Sequence, residues 1–329
     1  MLEIIRNIIL VIAIHFVVDA VAQPQCVVAF YNVENLMDIE DDPSAVDEDM
    51  LPLADKNWDH EKYCKKLRDI AHVVSDLGNK HDVPALLGLA EVENRTVLKD
   101  LVKECRNVGI EYEFCHYDSS DERGVDVALL YRRDLFEIQR SRAITPKLDN
   151  PTRDILAVWG NLCGEDVFLA VVHFPSRIGG VKFTEHRRVE CCNQLRELID
   201  SVKREEPHRR IIVMGDMNDN PRDKSVRDVL GAERNSVNAL ASGLYNPFAK
   251  ILRRAYRGSS VYQGEWNLYD NIILSWDFLS GEGLQLSGRG AIFKQNYLLD
   301  KKHHPLPTYK GVEYCSGVSD HLPVYVVLQ

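Results

Sequence analysis

Six short apolar runs in this 329-residue chain end in, or enclose, Asn, Asp, Glu or His. Asn32 follows Val27–Tyr31, with Glu34 two positions on, and Glu91 follows Ala85–Ala90. His173 follows Leu169–Val172, and Asp216 and Asn218 follow Ile211–Gly215. Asp270 lies within Leu268–Leu274, and Asp320 and His321 precede Leu322–Val327. A single polar residue at a strand end is usually a turn residue. Six runs marked by these four residue types alone form a different pattern. If the ends converge, Glu91, Asp216, Asp270 and Asp320 share one cleft, with Glu34 a fifth candidate. Like charges that close cannot all stay ionised without a compensating cation. Carboxylate and amide oxygens are hard ligands that suit Mg²⁺, Mn²⁺ or Ca²⁺ rather than zinc. Mg²⁺ characteristically combines one or two carboxylates with substrate phosphate oxygens. The residue set therefore points to phosphoryl chemistry.

The elements that must position these residues read as short apolar strands bounded by polar turns. Strands are expected over Cys26–Asn32, Ala85–Ala90, Tyr112–Tyr117, Val125–Tyr131, Ile155–Leu162, Val167–His173, Arg210–Gly215, Tyr269–Ser275 and Pro323–Leu328. Helices are expected over His60–Leu77, Thr96–Cys105 and Thr184–Lys203. The last carries a helical stripe of Val189, Cys192, Leu195, Ile199 and Val202. Many strands, few helices and short connections argue for an α/β chain in which sheet packs on sheet with helices outside. The composition, 45% hydrophobic and 27% charged, excludes a disordered or fibrous chain.

The motifs at the run ends also carry a resemblance. Phe30-Tyr31-Asn32-Val33-Glu34-Asn35, Gly88-Leu89-Ala90-Glu91-Val92-Glu93-Asn94, Val172-His173-Phe174, Gly215-Asp216-Met217-Asn218-Asp219 and Ser319-Asp320-His321-Leu322-Pro323-Val324 occur in that order. Together they resemble the endonuclease/exonuclease/phosphatase superfamily, which includes DNase I, abasic-site endonucleases, neutral sphingomyelinases and inositol polyphosphate 5-phosphatases. The resemblance implies a four-layer sandwich, two mainly antiparallel sheets flanked by helices, over residues 23–329. It departs from the family at Ala90, where many members have Gln, and it leaves Glu91 and Glu93 as alternative ligands on one face of a strand; motif position favours Glu91. The implied roles place Mg²⁺ or Mn²⁺ on Glu91, with Asn32, Glu34 and Asp320 helping. His321 acts as general base, oriented by Asp270. Asp216 and Asn218 orient water and phosphate, and His173 hydrogen-bonds a phosphate oxygen.

Other signals carry less. Arg123-Gly124-Val125-Asp126 opens a strand beside the expected cleft, with Asp126 either supporting the site or capping a turn. Arg177, Arg187 and Arg188 are either phosphate clamps or a solvated helix start. The seven acidic residues within Asp38–Asp49 lack the spacing of a calcium loop and read as a surface loop. A sequon, Asn94-Arg95-Thr96, lies so near Glu91 that a glycan there would crowd the cleft.

Function then narrows to a metal-dependent phosphohydrolase acting on a phosphorylated small molecule, a phospholipid head group or nucleic acid, with no obligate protein partner implied. The net charge of −10 argues mildly against long polyanions. The lack of an exposed aromatic apolar stretch argues mildly against membrane lipids. A secreted nuclease is the alternative enzyme. A catalytically inactive binding protein of the same fold is disfavoured, because Glu91, Asp216 and His321 are all retained. Residues 1–22 read as a secretory leader. Arg6 precedes the apolar Ile8–Val18, too short to span a bilayer, and Ala20-Val21-Ala22 forms a cleavage signal. The expected location is therefore secreted or periplasmic. N-terminal sequencing of exported protein should read from Gln23; intact Met1 on protein from the cell envelope contradicts the leader.

Overall fold

The computed structural model describes residues 25–77, 82–251 and 258–329; the expected leader at 1–22 lies outside the described residues. The chain first forms β1 (Cys26–Leu36), β2 (Leu86–Val92), β3 (Glu113–His116) and β4 (Asp126–Tyr131). Next come β5 (Phe136–Ile144), β6 (Ile155–Leu162), β7 (Glu165–His173), β8 (Arg210–Asp216) and the short β9 (Ala232–Glu233) and β10 (Leu244–Tyr245). A hairpin of β11 (Ser260–Tyr262) and β12 (Glu265–Asn267) precedes β13 (Asp270–Ser275) and β14 (Leu286–Ile292). A second hairpin, β15 (Tyr309–Lys310) and β16 (Glu313–Tyr314), leads to β17 (Val324–Leu328). One sheet has the order β14-β17-β1-β2-β4-β3 and the other β5-β6-β7-β8-β13-β10-β9.

The apolar runs are continuous because the central strands are buried on both faces. Along β1, Val28 and Phe30 point between the sheets, where they meet Leu86, Leu169, Ile212, Met214 and Val326. Ala29 and Tyr31 point the other way, onto Ile70, Val74, Leu98 and Leu101 of the helices His60–Leu77 and Arg95–Asn107. Along β8, Ile212 and Met214 face the other sheet, while Ile211 and Val213 pack under Cys192, Leu195 and Ile199 of the helix Val181–Glu205. The result is the expected four layers, helix–sheet–sheet–helix. No helix of the described residues is long and apolar enough to cross a membrane.

Two strands longer than the small hairpins were not expected, β5 and β14, and both are sheet edges. An edge strand buries little, so β5 carries Glu137, Arg140 and Arg142, and β14 carries Gly288 and Gly290. Neither pattern has the apolar density of a central strand.

The site is set up by strand direction. β1 runs parallel to β2, and β7 parallel to β8, so two pairs of strands finish at one end of the sandwich. β13 runs antiparallel to β8 and β17 antiparallel to β1, so both begin there. Register then places His173 beside Asp216 and Asp216 beside Asp270. Gly215 lets β7 and β8 close up at this row, since a Cβ there would lie 2.1 Å from the Val172 carbonyl oxygen. Gly215→Ala should therefore destabilise the protein by about 1–3 kcal/mol or more. A thermal melt checks this, and an unchanged Tm contradicts it.

Candidate active site

The backbone around the cleft is strained. Glu34, Asn35, Glu91 and Asn218 have φ of 52°, 50°, 62° and 49°, values uncommon for residues with a side chain and often found where function fixes the geometry. Glu91 sits on a bulge, because the β2 register slips between Ala90 and Val92. The bulge breaks the strand alternation that would have put Glu91 and Glu93 on one face. Glu91 turns into the cleft, whereas Glu93 is buried against the acidic loop, accepting the Asp38 N–H at 2.7 Å.

The cleft brings together Asn32, Glu91, His173, Asp216, Asp270 and His321. Asn32 Nδ2 donates to Asp216 Oδ2 at 3.1 Å and to Glu91 Oε1 at 3.4 Å. His173 Nε2 lies 3.8 Å from Asp216 Oδ2 and 3.9 Å from Glu91 Oε1. His321 Nδ1 is bonded to Asp270 Oδ2 at 2.7 Å, which turns its Nε2 toward Asp216 Oδ2, 3.8 Å away. Ser319 fixes this end, donating its hydroxyl to the Asn32 carbonyl at 2.7 Å and accepting the His321 N–H at 3.0 Å. Asn218 supports Asp216, its N–H on Asp216 Oδ1 at 2.8 Å and its amide donating to the Phe174 carbonyl at 2.9 Å.

Glu34 is placed differently from the other four carboxylates. It accepts the N–H groups of Thr308 at 2.8 Å, Asp320 at 2.9 Å and Tyr309 at 3.3 Å. Glu34, expected to help at the metal directly or through water, here ties three backbone amides of the 308–320 segment together. Asp320 is exposed at the rim. Lys66, which the sequence did not single out, lies buried beneath, donating to the carbonyls of Glu34 and Val318 and to Thr308.

Charge in the cleft is correspondingly tuned. Burial and the neighbouring Asp270 push Asp216 up to about 7. Burial opposes ionisation of Glu91 too, yet Arg123, with His321, holds its carboxyl well below the usual range. Burial, then Arg153, keeps His173 neutral by driving it well below the ordinary imidazole value. For His321 burial is overcome by Asp270, Asp320 and Asp216, which raise it well above that value.

Of the three arginines that read either as phosphate clamps or as a solvated helix start, Arg177 and Arg188 are structural. Arg188 is fully buried against Asp219 at 2.9 Å, and Arg177 holds the Asn218 carbonyl at 2.7 Å and Asp219 at 2.6 Å. Asp126 fixes the β3–β4 turn, accepting from Ser119 N at 2.9 Å and lying 3.1 Å from His116 Nε2. Asn94 caps the Arg95–Asn107 helix through bonds from Thr96 N and Val97 N, and its amide donates to Asp38 at 3.0 Å. One expectation is corrected. The loop after His173 leads into an exposed apolar patch, with Ile178 78% and Phe183 77% exposed, so the argument against a membrane lipid loses its footing. The patch was hidden because its apolar residues are interrupted by Gly179, Gly180 and Lys182.

Asp216, Asp270 and His321 present ligand atoms within 4.8 Å of one another, one of two such groups among the described residues; the other is His116, Asp118 and Asp126. A two-sheet sandwich with carboxylates, amides and histidines gathered at its strand ends defines a class of phosphoester-processing folds. The chain belongs to the endonuclease/exonuclease/phosphatase family, whose model matches residues 27–329. No curated protein matches the sequence. Among solved structures, truncated Caenorhabditis elegans TDP2 is similar at 15% identity and a TM-score of 0.59, covering 92% of this chain and 97% of that one. A mannosyl-6-phosphatase from Bacteroides thetaiotaomicron is similar at 18% identity and 0.57, covering 92% and 99%. Danio rerio TDP2 complexed with a single-strand DNA product is similar at 17% and 0.57, covering 93% and 99%.

The placement of Glu34 separates folding from chemistry. Glu34→Ala leaves three N–H groups without their acceptor, at about 1–3 kcal/mol for each that stays buried. Calorimetry should show Tm falling by several degrees. A Tm equal to wild type contradicts the structural role.

Proposed function

We propose that this protein is an exported, divalent-metal-dependent phosphohydrolase that cleaves a phosphoester P–O bond by in-line attack of water. The observation that carries the reading is the His321–Asp270 pair at 2.7 Å, facing Asp216 in the same cleft as Asn32 and Glu91. A cation fits this site. Its donors are hard oxygens, Asp270 Oδ1 is buried without a partner, and burial and then Asp270 push Asp216 up to about 7. Glu91 would hold Mg²⁺ or Mn²⁺ with Asn32 and Asp320, while Glu34 steadies the backbone of Asp320. When bound, the cation supplies Lewis-acid stabilisation of charge building on the phosphate oxygens.

The protein's own groups do the rest. Asp270 accepts the hydrogen bond of the His321 Nδ1–H, and Nε2, once it has lost the proton that the surrounding carboxylates favour there, is the base that takes a proton from water. Asp216, steadied by Asn218, orients that water and the phosphate. Neutral His173 donates from Nε2 to a phosphate oxygen in the transition state. The substrate is a phosphorylated small molecule, a phospholipid head group or nucleic acid. The exposed Ile178 and Phe183 favour an amphiphilic partner. A secreted nuclease is the second reading, supported by the likeness to a TDP2 holding single-strand DNA product.

Chelation by EDTA should abolish hydrolysis of bis-p-nitrophenyl phosphate, and Mg²⁺ or Mn²⁺ should restore it; full activity after exhaustive chelation overturns the metal requirement. His321→Ala should slow the chemical step by roughly 10²–10⁴-fold with metal binding retained, and Asp270→Asn should slow it less. Glu91→Gln should lose activity through weaker metal affinity and recover in part at high Mg²⁺. If metal rescues His321→Ala and not Glu91→Gln, the two roles are reversed.

A further inference from the structure

Among the described residues, four long cationic side chains reach the residues around the cleft, and three are anchored. Lys66 donates to the Glu34 carbonyl at 2.6 Å, Thr308 Oγ1 at 2.6 Å and the Val318 carbonyl at 3.2 Å. Arg153 is buried and divides its guanidinium among the His173 carbonyl, the Phe174 carbonyl and Asp121, at 3.2, 2.9 and 2.9 Å. Arg177 is held by Asn218 and Asp219. Arg123 differs. Its side chain is 45% exposed, and its bonds run through Nη2 alone, to Glu91 Oε2 at 3.1 Å and to Asn35 Oδ1. The backbone of its loop is nevertheless fixed, by Arg153 on Asp121 and by the Val46 N–H on the Glu122 carbonyl at 2.8 Å. A held loop thus presents a half-exposed guanidinium, bonded through Nη2 alone, at the mouth of the cleft.

That guanidinium lies on the carboxylate which, in the reading above, receives the metal. Two cations on one carboxylate repel each other, and the one on a flexible, exposed side chain is the one that yields. A planar guanidinium next to a phosphate site has a strong alternative partner, since it matches non-bridging phosphate oxygens in bidentate fashion. We propose that Arg123 is the substrate-phosphate clamp of this protein, resting on Glu91 until a divalent cation displaces it onto the phosphate. The proposal rests on the metal-dependent reading and assigns to Arg123 the part that Arg177 and Arg188 cannot play.

The test compares wild type, Arg123→Gln, Arg123→Lys and Glu91→Gln in two measurements, Mn²⁺ titration of the substrate-free protein by calorimetry and steady-state hydrolysis of bis-p-nitrophenyl phosphate. Arg123→Gln should bind Mn²⁺ roughly two- to fivefold more tightly, because a competing partly exposed ion pair is gone. Its kcat/KM should nonetheless fall by about ten- to a hundredfold, with the larger part in KM. Arg123→Lys should recover part of that loss, retaining charge but not the fork. Unchanged or weaker Mn²⁺ binding in Arg123→Gln, or an unchanged kcat/KM, overturns the clamp while leaving the metal reading intact. If wild type shows no Mn²⁺ binding that Glu91→Gln weakens, the metal reading fails and the clamp falls with it.

Discussion

Mutual repulsion among carboxylates is the constraint around which this molecule is organised. Two apolar sheets end together and deliver Glu91, Asp216 and Asp270 into one poorly solvated space, with Asp320 at its rim. No single group there could remain charged in isolation at modest cost. The surrounding structure answers with opposite charge and with hydrogen-bond donors. His321 is held on Asp270, Asn32 donates to both Asp216 and Glu91, and Arg123 lies on Glu91. Burial thus both creates the repulsion and strengthens each interaction that offsets it.

The same logic explains why the neutral and charged histidines differ. His173 and His321 sit on opposite flanks of Asp216 at the same 3.8 Å. Arg153 lies next to the first and Asp270 next to the second, so equal distances to a shared carboxylate give opposite protonation preferences. Two imidazoles in one cleft are thereby separated into a neutral and a charged one by what stands behind them, not by what they face.

Much of this was legible in the sequence, and the reasons are specific. Central strands such as Cys26–Leu36 and Arg210–Asp216 are apolar on both faces, and that pattern has few other readings. Polar residues at their ends were legible because direction and register in a sandwich force such ends together. The edge strand Phe136–Ile144 escaped notice, since it buries little and so needs little apolar content. The split between Glu91 and Glu93 was hidden as well. Strand periodicity treats them as equivalent, and only a bulge at Glu91, invisible in residue type, separates them. Lys66 and Arg153 were missed because a buried cation leaves no mark on local sequence; its partners come from segments far along the chain. Arg123 was noticed only as part of a strand opening.

The position of β17 has a consequence for how the chain acquires its shape. This strand pairs with β1 on one side and β14 on the other, so the middle of the first sheet is completed by a segment roughly 290 residues downstream of β1; at ordinary synthesis rates that is a delay of about 15–60 s. Until then β1 has an unpaired apolar edge and Asp270 has no His321 to meet. The first sheet therefore cannot be complete until segments from both ends of the described chain are present, so its central pairing is a long-range contact of the kind that slows folding.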